Sequence, residues 1–292
     1  MNMQKNIPHI VKTHARQNLS IYFIVIFLFL IPGYIYLKYT SYSYESYTSG
    51  SGLDVQSDCK IQPEISTTIK ISKYSLNTWV DIGILNYKEI NDGCSFFKFI
   101  IPGEIANFGI QLPNETPLTP ETMGYNWEPK WKRIEYMYRS PFRYDVVTIR
   151  KKEHPEFIGI ASYIWVNRLE KISYSERRLK VPFFAPIDGN DKTNYTEIKK
   201  SQLMISTPSD AVIRDMSHPM SNRKMITTYA LNWFDIDREN SVFEATIKFD
   251  DLAGHQTLMV NLSLLLLGAG LALLIERIVG ALRKYQKVDK HT

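Results

Sequence analysis

The sequence predicts two transmembrane α-helices that flank a mainly β, antiparallel and sandwich-like extracytoplasmic domain with one or two short helices. Three observations support this prediction. Two long segments carry no charge, both chain ends are basic, and the 200 or so residues between the segments alternate with a period of two. Together they fix an architecture, while leaving the activity open.

The two uncharged segments are Leu19–Leu37 and Thr257–Ile275, each nineteen residues long. A helix of that length covers about 28 Å, close to the ~30 Å hydrocarbon core of a bilayer. A basic start and an apolar middle would also suit a cleaved signal peptide. However, no small-residue cleavage site follows the first segment, and the tyrosines at its end suit a membrane interface. We therefore expect an uncleaved anchor, with a kink or fraying at Pro32-Gly33.

The charges predict the orientation. Met1–Asn18 carries three basic residues and no acidic one, and Glu276–Thr292 carries five basic residues against two acidic ones. Basic flanks of membrane helices stay in the cytoplasm. We expect both termini to be cytoplasmic, in a bacterial inner membrane. The central stretch is almost neutral, so the pI of about 8.9 reflects the tails and gives no reason to expect a nucleic-acid partner.

These features divide the chain into six parts. In chain order they are a cytoplasmic N-terminal tail (1–18), the first transmembrane helix (19–37), a tether (38–56), the extracytoplasmic β-rich domain (57–254), the second transmembrane helix (257–275) and a basic cytoplasmic tail (276–292).

Alternating apolar residues predict the strands of the central domain. β-Branched and aromatic side chains dominate these runs, and Gly, Pro, Asn and Asp separate them. The absence of long helical patterns between the runs favours an antiparallel sandwich over a βαβ sheet. Five runs stand out: 80–85, 97–101, 158–166, 225–233 and 243–249.

Two short motifs predict helix starts. Thr207-Pro208-Ser209-Asp210 places a hydroxyl at the N-cap, a proline at the first position and an acid three residues after the cap. That helix is expected to end near Met216. Thr119-Pro120-Glu121 is a weaker instance.

The chain has two cysteines, Cys59 and Cys94, both in the domain predicted to lie outside. An oxidising compartment and an even count favour a disulfide. The alternative is a pair of buried free thiols, because the phenylalanines beside Cys94 indicate an apolar environment. No CxxC pair or metal-ligand spacing occurs.

No sequence motif indicates catalysis, a cofactor or a metal. HExxH, GxSxG and clustered His or Cys ligands are all absent. Residues 188–191, Asp-Gly-Asn-Asp, suit a turn better than a calcium loop. Asp235 and Asp237 lie two apart; they could serve glycoside chemistry, but a solvated strand end beside Arg238 explains them as well. We therefore expect no catalytic residues and no enzyme activity.

The most distinctive segment is Tyr125–Tyr144, in which aromatic and basic residues alternate closely. Tyr, Trp and Arg are enriched at binding hot spots, although the same mixture suits lipid headgroups or an ordinary sheet with one aromatic face. The candidate binding residues are Trp127, Trp131, Arg133, Tyr136 and Arg139.

In the second span Gly268 and Ala272 have the small-xxx-small spacing that lets helices approach closely. They could contact the first span or another copy, and a homo-oligomer is possible. The expected partners are the lipid bilayer and a protein of the cell envelope. The function predicted from these features is a membrane-anchored, non-enzymatic binding domain with a neutralising or assembly role. The alternatives are a sensor that signals through its helix pair and an outer-face glycan-active enzyme.

Overall fold

The computed structural model describes most of the chain and separates it into two compact units. One, which we call the helical unit, takes both chain ends and the turn Ser173–Ser175; the other, the β unit, takes the remainder. The described residues are 23–41, 53–90, 93–112, 131–135, 138–140, 144–183, 200–237 and 242–288.

In the helical unit, a π-helical segment, Ile24–Leu30, continues directly into helix α1, Ile31–Thr40. Pro32 lies in the first turn of α1, where its missing N–H is tolerated. The change from π to α hydrogen bonding therefore lies next to Pro32-Gly33, where the sequence predicted a kink or fraying of the helix. The long helix α3, Asp250–Val288, has 39 residues and begins immediately after the last strand of the chain.

Within the described residues, one helix is long and apolar enough to cross a membrane. It is the Asp250–Gly280 part of α3, with a mean hydropathy of 2.4 in its most apolar window. The apolar helix over Val25–Thr40 is shorter than a span, and Leu19–Tyr22 lies outside the described residues. Of the two predicted spans, the second therefore has a candidate among the described residues, and the first does not.

Gly270 forms the close contact between the two helices. A Cβ atom added there would lie 2.8 Å from Cβ of Leu28 and 3.0 Å from Cε2 of Phe29. Ser263, seven residues earlier and therefore on the same face of α3, is only 1% exposed and donates a hydrogen bond to the carbonyl of Met259 at 2.6 Å. Glycine is required at position 270 because any larger residue would displace the first helix.

A second contact of the helical unit joins three chain segments. Gln256 donates from Nε2 to the carbonyl of Tyr39 at 2.7 Å and accepts a hydrogen bond from Ser175 at 2.8 Å. Beside it the rings of Tyr39, Tyr174 and His255 lie with centroids 4.4 to 5.9 Å apart. Gln256 therefore satisfies a carbonyl that the C-terminal end of α1 leaves without a helical partner.

The β unit confirms that the chain is mostly β. It also contains a short helix, α2 (Tyr87–Ile90). Its described strands are β1 (Asp54–Ser57), β2 (Ile65–Lys70), β3 (Thr78–Ile84), β4 (Phe96–Pro102), β5 (Ile105–Gln111), β6 (Trp131–Arg133), β7 (Tyr138–Ser140), β8 (Tyr144–Arg150), β9 (Ile160–Trp165), β10 (Leu169–Lys171), β11 (Glu176–Pro182), β12 (Lys200–Pro208), β13 (Ala211–Arg214), β14 (Asn222–Ile226), β15 (Tyr229–Asp237) and β16 (Val242–Phe249).

These strands form one large sheet and two small ones. The large sheet has the order β14-β15-β12-β2-β3-β9-β5-β6, and the small sheets have the orders β1-β4-β8-β7 and β10-β11-β16-β13. Both small sheets place aromatic side chains against the large sheet. Phe99 lies 5.7 Å from Phe108 between ring centroids, and Phe243 lies 4.7 Å from Phe234. The core therefore fills the space between the large sheet and the smaller ones.

The large sheet is mixed, which corrects the prediction of a purely antiparallel arrangement. β2 and β12 pair in parallel, with Ser201 opposite Ile65, whereas the other described strand pairs are antiparallel. These strands are far apart in the sequence, so no turn between them could have revealed the direction of pairing. Side-chain alternation is the same for both directions.

The predicted helix from Thr207 to Met216 is wrong. β12 runs through Pro208, a turn follows, and β13 begins at Ala211. Thr207 pairs with Ala230, and the Asp210 carboxylate forms an ion pair with Lys73 at 2.9 Å. Because Val212 and Ile213 are β-branched, the residues after the turn favour a strand, so the cap-like motif serves as a turn. The motif at Thr119-Pro120-Glu121 lies outside the described residues.

One predicted run is two strands. The series over 225–233 contains a turn at Thr227-Thr228, so β14 and β15 form a hairpin in which Met225 pairs with Ala230. Alternation of apolar residues on both sides of a tight turn hides the turn when the sequence is considered alone.

The predicted disulfide is present between Cys59 and Cys94, whose Cα atoms are 4.4 Å apart. The neighbouring Asp58 supports the same connection. Its carboxylate accepts hydrogen bonds from the Ser95 hydroxyl, from the Ser95 N–H at 2.9 Å and from the Phe96 N–H at 3.2 Å. Partial burial raises the pKa of Asp58, but these hydrogen bonds together hold it below its ordinary value.

Candidate functional site

An open groove of about 450 Å³ lies at the end of the large sheet where β2 and β12 begin and β3 and β15 end. We call it the strand-end groove. Its volume is within the range of ligand-binding pockets in proteins. The lining residues are Gln62, Pro63, Glu64, Ile65, Leu85, Ser201, Gln202 and Asp235.

Asn86 holds one wall of the groove in place. Its side-chain oxygen accepts the N–H of Glu64 at 2.9 Å, and its side-chain amide donates to the carbonyl of Gln62 at 3.0 Å. Leu85 adds a backbone hydrogen bond to the Glu64 carbonyl at 2.7 Å. The segment before β2 is therefore fixed although it lies outside the sheet.

The opposite wall comes from the sheet itself. Gln202 on β12 pairs in register with Asp235 on β15, and both side chains point to the same face because opposite residues of paired strands share a face. Asp235 and Glu64 are exposed, and Leu85 is 60% exposed. The groove therefore offers two carboxylates and two amides beside an apolar patch.

Ser201 also contributes to the groove lining, but it precedes Gln202 on β12, so its side chain points to the opposite, buried face of the sheet. It is 3% exposed, and its hydroxyl oxygen has no hydrogen-bond partner among the described residues. It also lines an adjoining void of about 10 Å³, together with Thr67, whose hydroxyl has no partner there either. That volume is about the size of one water molecule, so the unused hydrogen-bonding capacity of Ser201 lies on the core side of the sheet.

The sequence-predicted binding residues lie elsewhere. Trp127 and Tyr136 fall outside the described residues. Trp131 and Arg133 are on β6, at an edge of the large sheet, and Arg139 is on β7, at an edge of a small sheet. Arg133 is exposed. The predicted hot spot thus stays a prediction.

Gly268 and Ala272 are exposed, and an added Cβ at Gly268 would meet nothing within 4 Å. The described contact with the first helix uses Gly270 instead. Contact of Gly268 and Ala272 with another copy stays a prediction. The sequence does contain a signal for the observed contact, which the prediction missed. Ser263 and Gly270 are both small and lie seven residues apart, on the same face of the helix.

Of the two acids considered for glycoside chemistry, Asp235 lines the groove, and both Asp235 and Asp237 are exposed. Residues 188–191 lie outside the described residues. Within the described part of the chain, no group of three or more His, Cys, Asp or Glu side chains could hold a metal ion. The remaining groove residues were missed because they come from four strand ends and meet only when the sheet forms.

No family model and no curated protein matches this chain. Among solved structures, it is similar to an M1 zinc metallopeptidase from Deinococcus radiodurans, solved with a bound tripeptide substrate. The identity is 8% and the TM-score 0.30, over 68% of this chain and 42% of that chain. A TM-score this low shows neither a shared fold nor a shared activity.

The comparison corrects one prediction. The sequence predicted a protein that is not an enzyme; that exclusion is not kept, since the solved structure reported above is a peptidase, although its TM-score of 0.30 assigns no reaction to this chain. The match is too weak to establish an enzyme activity for this chain. The correction therefore withdraws the exclusion and assigns no reaction.

Proposed function

We propose that this protein is a membrane-anchored binding protein whose β unit holds a polypeptide of the cell envelope in the strand-end groove. The observation that carries the proposal is the groove itself, which has two exposed carboxylates, two amides and an exposed leucine among its lining residues. An open groove lined by both polar and apolar groups is typical of a surface that accepts another chain.

The anchoring part of the proposal relies on α3. Its apolar stretch is long enough to cross a bilayer, and it follows β16 without an intervening linker. The proposal includes a second span at Leu19–Leu37 and cytoplasmic termini. In this topology the protein would act as an assembly or neutralising factor that binds its partner at the outer surface of the inner membrane.

Photo-crosslinking in intact membranes tests the proposal. A photoreactive residue replaces Gln202 in the groove, and the matched control replaces Tyr74, which is 85% exposed and does not line the groove. We expect one adduct of defined mass from position 202 and none from position 74. Equal labelling from both positions, or no adduct from position 202, would contradict the proposal.

The second candidate function is a sensor that passes a signal through its helices. The close packing of Gly270 on Leu28 and Phe29 favours it, because a small residue lets the two helices approach closely enough for a movement of one to act on the other. In that case bulky substitution of Gly270 would abolish the response while the amount of protein in the membrane remained unchanged.

A further inference from the structure

Resting on the proposed anchoring by α3, we infer that the β unit touches the membrane with one end and that Tyr74 of this end places its ring among the lipid headgroups. This end, which we call the α3 end, comprises the loop 71–77, the turns 209–210 and 227–228, and Asp250. The strand-end groove lies at the opposite ends of the same strands and therefore faces away from the lipid.

The connections between strands provide the first argument. β2 and β12 pair in parallel and end close together, and they are followed by the loop that contains Tyr74 and the turn that contains Asp210. The Lys73 ammonium pairs with the Asp210 carboxylate at 2.9 Å, and the Asp250 N–H donates to the Asp210 carbonyl at 3.2 Å. Because α3 begins at Asp250, Tyr74 lies at the end of the β unit where the chain continues into α3.

The length of the uncharged part of α3 provides the second argument. After Asp251 the next Asp, Glu, Lys or Arg is Glu276, so the 24 residues over 252–275 include none of these. A helix of that length covers about 36 Å, whereas the hydrocarbon core is ~30 Å thick and the whole bilayer about 40 to 45 Å. When α3 spans the membrane, Asp250 therefore lies in the headgroup layer, and the Asp210 carbonyl that binds its N–H lies next to it.

The exposure of Tyr74 provides the third argument. Tyr74 is 85% exposed although its loop is held on both sides. Lys73 is held by its ion pair, and Leu76 and Asn77 accept backbone N–H groups of residues 167–169 at 3.0 and 2.8 Å. A tyrosine ring has an apolar body and a polar hydroxyl, which is why tyrosine is enriched where a membrane meets water. A fixed loop that exposes such a ring beside the start of the membrane helix suits the headgroup layer.

Fluorescence quenching of the full chain in phosphatidylcholine nanodiscs tests this inference. The lipid carries no net charge because the Lys73 ammonium is already paired and the contact needs no anionic headgroup. The two native cysteines form the disulfide, so one introduced cysteine carries the dye nitrobenzoxadiazole. The labelled variants are Tyr74→Cys, the control Leu85→Cys at the groove, and Leu265→Cys within the apolar part of α3. One set of nanodiscs has a nitroxide on the lipid headgroup and another has it on the acyl chain.

We expect the headgroup nitroxide to quench position 74 at least about threefold more than position 85, because Leu85 lies beyond the far end of β3, whose seven residues span about 23 Å. Leu85 is a suitable control since it is an apolar residue that is 60% exposed. The acyl-chain nitroxide should quench position 265.

A second measurement tests the tyrosine ring itself. The dye is placed at Thr227, an exposed residue of the turn whose Thr228 carbonyl accepts the Ser209 N–H at 3.1 Å. Tyr74→Ser should lower the headgroup quenching at position 227 about twofold, whereas Tyr74→Trp, which keeps an interfacial ring, should leave it unchanged.

Equal headgroup quenching at positions 74 and 85, or quenching at position 227 that Tyr74→Ser leaves unchanged, would overturn the inference. If the acyl-chain nitroxide still quenches position 265 in that case, α3 spans the bilayer and only the contact of the α3 end fails. If position 265 is not quenched either, the proposed anchoring fails as well. The lipid contact also leaves position 74 without a protein adduct in the crosslinking experiment.

Discussion

The helical unit and the β unit differ in how far their large apolar side chains are buried. In the β unit Ile82, Phe99 and Phe234 are completely buried, whereas Leu265 and Leu258 of α3 are 67% and 63% exposed. Contiguous exposed apolar surface of this kind marks a contact with lipid or protein. The β unit therefore buries its apolar side chains against one another, whereas α3 leaves long apolar side chains exposed.

Polar groups show the same contrast. In the helical unit, the hydroxyls of Thr40, Thr257 and Ser263 donate to the carbonyl four residues earlier in the same helix. In the β unit, Asp81 joins neighbouring strands. Its carboxylate accepts from Ser162 at 2.6 Å and Trp79 at 2.9 Å and pairs with Lys70 at 2.8 Å. Local satisfaction suits a lipid solvent, and cross-strand networks suit a folded core.

The largest expected effect is loss of the disulfide in the β unit. The Cys59→Ser, Cys94→Ser double variant should lower the free energy of unfolding by about 3.5 to 4 kcal/mol, because the bridge closes a loop of 35 residues. Urea unfolding of the full chain in micelles, followed by tryptophan fluorescence, measures the change. A loss below about 1 kcal/mol would contradict the expectation that this disulfide contributes substantially to the stability of the β unit.

The Asp81 network is expected to contribute slightly less. Asp81→Ala leaves the Trp79 N–H and the Ser162 hydroxyl without their acceptor and should cost about 3 kcal/mol by the same measurement. Asp81→Asn is the matched control, since it keeps an acceptor oxygen and loses only the charge. If both variants lose the same amount, the ion pair with Lys70 matters and the hydrogen bonds from Trp79 and Ser162 do not.

Gly270→Val should loosen the helical unit and leave the β unit unchanged. Its Cβ would overlap Leu28, whereas the same substitution at Gly268 meets no atom within 4 Å. Overpacking of this kind costs about 1 to 3 kcal/mol. Hydrogen–deuterium exchange in nanodiscs should therefore accelerate over Ile31–Thr40 by about tenfold or more in Gly270→Val. Acceleration in Gly268→Val instead would show that the predicted small-residue pair forms the contact.

The smallest expected effect concerns pH. Because hydrogen bonds lower the pKa of Asp58 in the folded state, its contribution to stability is present above the ordinary pKa and is lost as the pH falls through the folded value. Between pH about 5 and 2 the wild type should lose more stability than Asp58→Asn. Parallel pH profiles would show that the hydrogen bonds of the Asp58 carboxylate with Ser95 and Phe96, at the start of β4, do not stabilise the fold.

Several strands were predictable because alternation follows directly from strand geometry. The runs containing Val80, Phe99 and Ile247 correspond to β3, β4 and β16. The helix predicted at Thr207 failed because a hydroxyl, proline and acid in succession also suit a turn, and the pairing of Thr207 with Ala230 decided between them. Local sequence cannot weigh a partner strand that lies more than twenty residues away.

The candidate groove was almost unpredictable. Asp235 attracted attention as one of two spaced acids, but nothing near it in the sequence indicates Glu64 or Ser201. These residues become neighbours through the parallel pairing of β2 with β12. The helix contact shows the same limit, since the sequence favoured Gly268 and the structure uses Gly270.

By itself the sequence determined the mostly β character of the middle of the chain, the long apolar helix near its end and the pairing of its two cysteines. These depend on composition, on periodicity and on a count that permits one bridge. Only the tertiary structure decided the mixed sheet, the turn after Pro208, the glycine between the helices and the groove. Each of these depends on which distant segments meet, and the free energy of such contacts is absent from any local stretch of sequence.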